Sequence, residues 1–244
     1  MKSSKNHLLF FPGALKLPTF YEPLFYVIRK YYFVKIDCYL PPGYGSRKNE
    51  RLPLHHKSLA KEALEVRNFK GSHPIFIGHS WGCHIARSAA LQYGQPCCLI
   101  EIDPRIHPLK SDSDINDIPE FFSSKEELLE AYFQYGFSEE NIDWTWWTKK
   151  EDGSFQLNFN PKQVARMLDA RPYFIATKTW ETLSNANILI IPLGEGSPLT
   201  DEEIAKVRRE LPKINIRVHR DIAHALYKQD QEKIGVIIGK WLNE

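Results

Sequence analysis

The residues best placed to do covalent chemistry lie in one run, Gly78-His79-Ser80-Trp81-Gly82. It matches G-x-S-x-G and stands between an apolar strand candidate, Pro74 to Gly78, and an Ala-rich helical segment leading to Gly94. In that setting Ser80 occupies a tight strand-to-helix turn, with small residues on either side where a Cβ would meet neighbouring backbone. The helix start adjoining it brings positive potential to the place where an oxyanion would form. The same five residues could also be an ordinary strand-to-helix turn.

A serine hydroxyl needs a base. Of nine histidines, His224 in Asp221-Ile222-Ala223-His224-Ala225-Leu226 falls between the last strand and the last helix, where a loop can carry an imidazole over the sheet's carboxyl edge. His79 and His84 flank the serine and read as structural; His55, His56 and His107 fall in loops without an assigned role. An oxyanion hole takes two backbone N–H groups, here those of Trp81 and of Ala14 in Phe11-Pro12-Gly13-Ala14. The bland alternative is that Pro12-Gly13 is only a turn.

The elements that must hold these residues follow a strand–helix rhythm, the mark of a mainly parallel sheet covered on both faces. Strands are predicted at His7–Phe11, Phe33–Leu40, Pro74–Gly78, Cys97–Ile102, Ile188–Leu193 and Ile214–His219. Helices are predicted from a Thr19/Glu22 capping box to Tyr31, over Lys57–Phe69, from Trp81 to Gly94, from Thr200, and over Gln229–Leu242. The rhythm pauses after Pro108. Residues 109–183 carry helical segments (Lys125–Tyr135, Lys162–Leu168, Tyr173–Leu183) and many aromatics: Phe121, Phe122, Tyr132, Phe133, Tyr135, Trp144, Trp146 and Trp147. We read 1–108 and 184–244 as the core and 109–183 as an inserted helical lid. Its aromatics either line an apolar pocket or only pack the lid onto the core.

With these residues in place, the chain resembles the α/β-hydrolase superfamily through Pro12-Gly13-Ala14, Gly78-His79-Ser80-Trp81-Gly82, the lid and Ala223-His224-Ala225. The resemblance implies a three-layer α/β fold and hydrolysis of an ester or thioester through an acyl-enzyme, without a cofactor. Two departures stand out. Members usually carry two further strands before the oxyanion strand, so a trimmed sheet of about six strands is expected. The acid is also ambiguous, because the usual stretch reads Leu193-Gly194-Glu195-Gly196-Ser197-Pro198. Asp103, ending the strand after the elbow, is favoured; Glu195 and Asp201 compete, and the acid could be missing altogether. The serine argues against the haloalkane dehalogenase branch, whose chemistry uses an Asp nucleophile.

The expected substrate is a small-molecule or carrier-bound acyl ester. Carbon–carbon bond hydrolysis or lyase chemistry on the same scaffold is one alternative, and a catalytically silent binding protein is another. The bulk sequence excludes little else but does so consistently. With 32 basic against 30 acidic residues, the net charge of +2 gives no reason to expect nucleic acid. Four cysteines (Cys38, Cys83, Cys97 and Cys98) form neither a disulfide framework nor a zinc-ligand pattern. The run Leu8–Phe11 is broken by Pro12-Gly13, and no stretch reaches the roughly 18 apolar residues of a membrane span. Cytosol is the expected compartment.

Overall fold

The structure, a computed structural model, describes residues 6–51, 53, 55–67, 69, 73–104, 118–134, 139, 142–169, 176–183, 185–194 and 197–244. The elements in chain order are β1 (His7–Phe11), α1 (Glu22–Tyr31), β2 (Lys35–Cys38), α2 (His56–Glu65), β3 (Pro74–His79), α3 (Gly82–Tyr93), β4 (Cys98–Ile102), β5 (Phe121–Phe122), α4 (Lys125–Gln134), β6 (Trp147–Lys149), β7 (Phe155–Leu157), α5 (Pro161–Asp169), α6 (Ala176–Thr182), β8 (Asn187–Ile191), α7 (Asp201–Glu210), β9 (Asn215–Ile216) and α8 (Lys228–Trp241).

Six strands form one sheet in the order β2-β1-β3-β4-β8-β9, and every described pair in it is parallel. Strand periodicity explains its three layers. Leu8, Phe10, Ile75, Ile77, Ile100, Ile102, Leu189 and Ile191 point to one face, where α1 and α8 cover them with Leu24, Phe25, Ile28, Ile234 and Ile238. Leu9, Phe11, Phe76, Leu99, Ile188 and Ile190 point to the other, under Leu59 and Ala63 of α2, Ile85, Ala86 and Ala89 of α3, and Ile204 and Val207 of α7. Both faces are apolar, so the inner strands read as unbroken hydrophobic runs. Glu101 is a charged exception. The alternation turns it toward α3, where Arg87 Nε and Nη2 donate to its two oxygens at 2.8 Å each and Trp180 Nε1 adds a third bond at 3.0 Å.

Three local expectations are corrected. Thr19 and Glu22 do not form a capping box. Pro18–Tyr21 make a 3₁₀ turn instead, and α1 opens at Glu22 without a side-chain cap, its Pro23 filling a first-turn position that needs no N–H. The last strand is reduced to Asn215–Ile216. Among the described residues it pairs only with β8, and just beyond it Arg217 and His219 turn their N–H groups to Ile190 and Pro192 carbonyls outside a regular ladder. The inserted segment, expected to be helical, also holds a three-stranded antiparallel sheet, β5-β7-β6. In β7 the buried Phe155 and Leu157 flank a half-exposed Gln156, a period of two.

The insertion shares its core with the sheet face covered by α2 and α3, through Phe122, Leu128, Trp147, Phe155, Leu157, Phe159 and Val164. Polar ties hold it too. Lys16 meets Asp143 and Lys48 meets Glu120, each at 2.6 Å. Gly45 N–H donates to the Asn158 carbonyl and Asn160 N–H to that of Gly43. Among the described residues, no helix is long and apolar enough to cross a membrane.

Candidate active site

Ser80 stands at the crest of the turn from β3 into α3, with φ of 51°. An L-residue reaches that left-handed region only where its surroundings over-determine it. Here the surroundings are the two glycines. A Cβ on Gly78 would come within 2.5 Å of Cys83 backbone, and one on Gly82 within 2.1 Å of the Phe11 carbonyl oxygen. Ser80 N–H is fixed by the Ile102 carbonyl at 2.9 Å.

His224 lies on the loop between β9 and α8. Ile222 and Leu226 bury their side chains on either side of it, and the Ile222 carbonyl accepts from Gly194 N–H at 2.7 Å. This loop brings His224 Nε2 to 3.1 Å from Ser80 Oγ. On the other side of the ring, His224 Nδ1 lies 2.5 Å from Asp103 Oδ2.

Asp103 follows β4 directly, has φ of 50° and is fully buried. Its other oxygen, Oδ1, accepts from Leu193 N–H at 3.0 Å and from Ser197 Oγ at 2.5 Å. Burial alone would push this carboxyl up; the bonds from His224, Ser197 and Leu193 outweigh it and hold the pKa below its ordinary value. An ionised Asp103 only accepts, so His224 Nδ1 carries the ring proton and Nε2 is free to accept from Ser80.

Of the competing acids, Asp201 sits on the exposed first turn of α7, paired with Arg220 at 2.6 Å. Glu195 lies outside the described residues, as does His107. Ser197 stands near the usual place of the carboxylate, and it donates to Asp103.

The backbone N–H groups of Ala14 and Trp81 make no hydrogen bond among the described residues. Gly13 N–H does, to Tyr21 Oη at 2.9 Å. Tyr21 carried no signal in the sequence. Its hydroxyl continues to His79 Nδ1 at 2.7 Å, and His79 Nε2 to the His224 carbonyl at 3.0 Å.

The insertion's aromatics divide. Trp147 packs on Phe122 at 5.2 Å between ring centroids, and its Nε1 donates to Tyr132 Oη at 3.3 Å, all within the insertion. Phe121, Phe133 and Trp144 are exposed, and Tyr135 lies outside the described residues. Trp146 leads back toward the oxyanion turn: its ring meets Phe159 at 5.4 Å, Phe159 meets Tyr44, and Tyr44 Oη accepts from Leu15 N–H.

Compared by sequence, the chain matches no family model and no curated protein. Compared by structure, it is similar to an E-2-(acetamidomethylene)succinate hydrolase, at 17% identity and a TM-score of 0.74, covering 99% of this chain and 92% of that one. It is also similar to a marine microorganism esterase (14% identity, TM-score 0.69, 96% and 94% covered). A thioesterase from the prodiginine biosynthetic pathway in Streptomyces coelicolor follows the same course (15% identity, TM-score 0.60, 98% and 86% covered). Identities this low speak to architecture, and that architecture agrees with the six-stranded parallel sheet and its flanking helices. The chain has the α/β-hydrolase fold.

Proposed function

We propose that this chain is a serine hydrolase that cleaves an ester or thioester of a small or acyl-chain substrate through an acyl-enzyme. The observation that carries the reading is the unbroken line from Ser80 Oγ through the His224 ring to Asp103, with contacts of 3.1 and 2.5 Å. Ser80 Oγ attacks the substrate carbonyl carbon while its proton passes to His224 Nε2. Asp103 keeps the ring oriented and stabilises the imidazolium without taking the proton. The tetrahedral oxyanion accepts from the N–H groups of Trp81 and Ala14, at the start of α3 where the helix dipole favours negative charge. Collapse expels the alcohol or thiol, which receives the proton from His224. Water then adds to the acyl carbon by the same route and frees Ser80.

The fold hosts many chemistries, so the site and not the architecture supports this reading. A carboxylate within reach of His224 also removes the main reason for the silent-binder alternative, which rested on a missing acid. On this reading 109–183 acts as a lid over the core made by 1–108 and 184–244. Substrate class is tested with ester and thioester series of increasing acyl length. The expected result is turnover of at least one series that vanishes in Ser80→Ala. Equal turnover by Ser80→Ala would overturn the proposal.

A further inference from the structure

Behind the reacting side chains runs a second line of hydrogen bonds that the proposed mechanism does not use. It passes from Gly13 N–H to Tyr21 Oη (2.9 Å), from Tyr21 Oη to His79 Nδ1 (2.7 Å) and from His79 Nε2 to the His224 carbonyl (3.0 Å). Tyr21 and His79 are 0% and 2% exposed. We infer that Tyr21 and His79 are positioning residues, which lock the oxyanion turn, the serine elbow and the histidine loop at fixed spacing. The inference rests on the serine-hydrolase reading above.

Donor and acceptor chemistry fixes every proton in this line. The His224 carbonyl can only accept, so His79 Nε2 bears the hydrogen. Neutral His79 then has a bare Nδ1, which must accept the one hydrogen of Tyr21, and the Tyr21 oxygen in turn accepts from Gly13 N–H. Burial, with the His224 ring as a lesser cause, lowers the His79 pKa to about 3, which keeps the ring neutral while His224 gains and loses its proton. Burial also pushes the Tyr21 phenol well above its ordinary value, so its hydrogen stays. His79 and His224 are 5.4 Å apart between ring centroids, and only a neutral His79 spares His224 a like charge at that range.

The geometry of the line is tight at its start. A Cβ on Gly13 would sit 2.9 Å from His79 Nδ1 and 3.3 Å from Tyr21 Oη. Gly13 precedes Ala14, His79 precedes Ser80, and the third anchor is the backbone of His224 itself. Each link therefore sets one partner of the reaction: the oxyanion donor, the nucleophile and the base. A loose member among these costs turnover more than substrate binding, since the donors must meet charge that develops only in the transition state.

The test is a double-mutant cycle on the ester or thioester that the wild type turns over, with rates taken per active site titrated by a fluorophosphonate. Tyr21→Phe keeps the ring among Phe10, Phe20 and Phe25 and removes the hydroxyl. His79→Leu removes both the acceptor for Tyr21 and the N–H that meets the His224 carbonyl. Each single variant is expected to lose about 10- to 100-fold in kcat with KM changed by less than about twofold. Both break the same link, so the double variant is expected to lose no more than the worse single. Wild-type kcat per titrated site, or losses that simply multiply, would overturn the inference. Should the wild type show no Ser80-dependent hydrolysis, the functional reading fails. The line is then judged by imidazole ¹⁵N NMR, where His79 must be the Nε2–H tautomer and Tyr21→Phe must release it into a mixture; a mixture already in the wild type contradicts it.

Discussion

At the scale of single residues, the proposed nucleophile Ser80 and base His224 stand 3.1 Å apart, one marked by a five-residue motif and the other by its place between the last strand and the last helix. Asp103 was not settled, because an acid's partner is chosen in space. Asp103 is brought to the His224 ring by the left-handed turn after β4, and the Leu193 and Ser197 donors converge on it from the loop after β8. His79 read as structural and Tyr21 as nothing in particular; a hydrogen-bond line spanning 211 positions of chain, from Gly13 to His224, leaves no pattern in neighbouring residues. The buried histidines do carry a consequence for stability. His79 and His56 are held neutral at about 3 and about 4, both chiefly by burial, below their ordinary 6.5. Above about pH 6.5 neither state of the chain takes up these protons, so nothing changes there. Below it the unfolded chain binds protons that the folded one refuses, so stability falls, by about 1.4 kcal/mol per group per pH unit. Urea unfolding at pH 6.5 and 5 is expected to differ by about 3 kcal/mol from the two groups together, with about half that difference lost in His79→Gln. A wild-type stability unchanged over this range would contradict the assignment of neutral buried rings.

At the scale of elements, the strand–helix alternation was legible because a parallel sheet covered on both faces demands apolar runs such as Pro74–Gly78, buried throughout. What failed were features that depend on competition. Thr19 and Glu22 had the spacing of a capping box, yet Pro18 and Pro23 dictated where the helix could start; at Thr200 and Glu203, without such prolines, the box forms. The small sheet of the insertion was missed because its strands are two or three residues long, too short for periodicity to register. Glu101 was invisible as a pairing residue for the opposite reason, sitting in a strand otherwise read as apolar. Its buried ion pair with Arg87 joins β4 to α3, the helix that follows Ser80, and Trp180 of α6 closes it. Removing one charge leaves the other uncompensated in the core. Glu101→Gln or Arg87→Met is expected to cost about 3–5 kcal/mol in denaturant unfolding, and the double variant Arg87→Met/Glu101→Leu clearly less than either. A double variant at least as damaged as the singles would show that the pair itself, not the orphaned charge, holds α3 in place.

For the molecule as a whole, the insertion and the sheet share one hydrophobic cluster, and the ties at Lys16–Asp143 and Lys48–Glu120 fall on the loops after β1 and β2. Lys16 comes two residues after Ala14, so the insertion is tethered beside the turn that would supply an oxyanion donor. This contact across 127 positions is beyond the reach of sequence patterning. The α/β-hydrolase architecture was legible; the insertion's seating was not. The centre that this arrangement surrounds is tested most directly by fluorophosphonate labelling followed by peptide mass spectrometry. We expect the adduct on Ser80, absent in Ser80→Ala, and formed about a thousandfold or more slowly in His224→Ala and Asp103→Asn. An adduct on another residue, or labelling of Asp103→Asn at the wild-type rate, would contradict it.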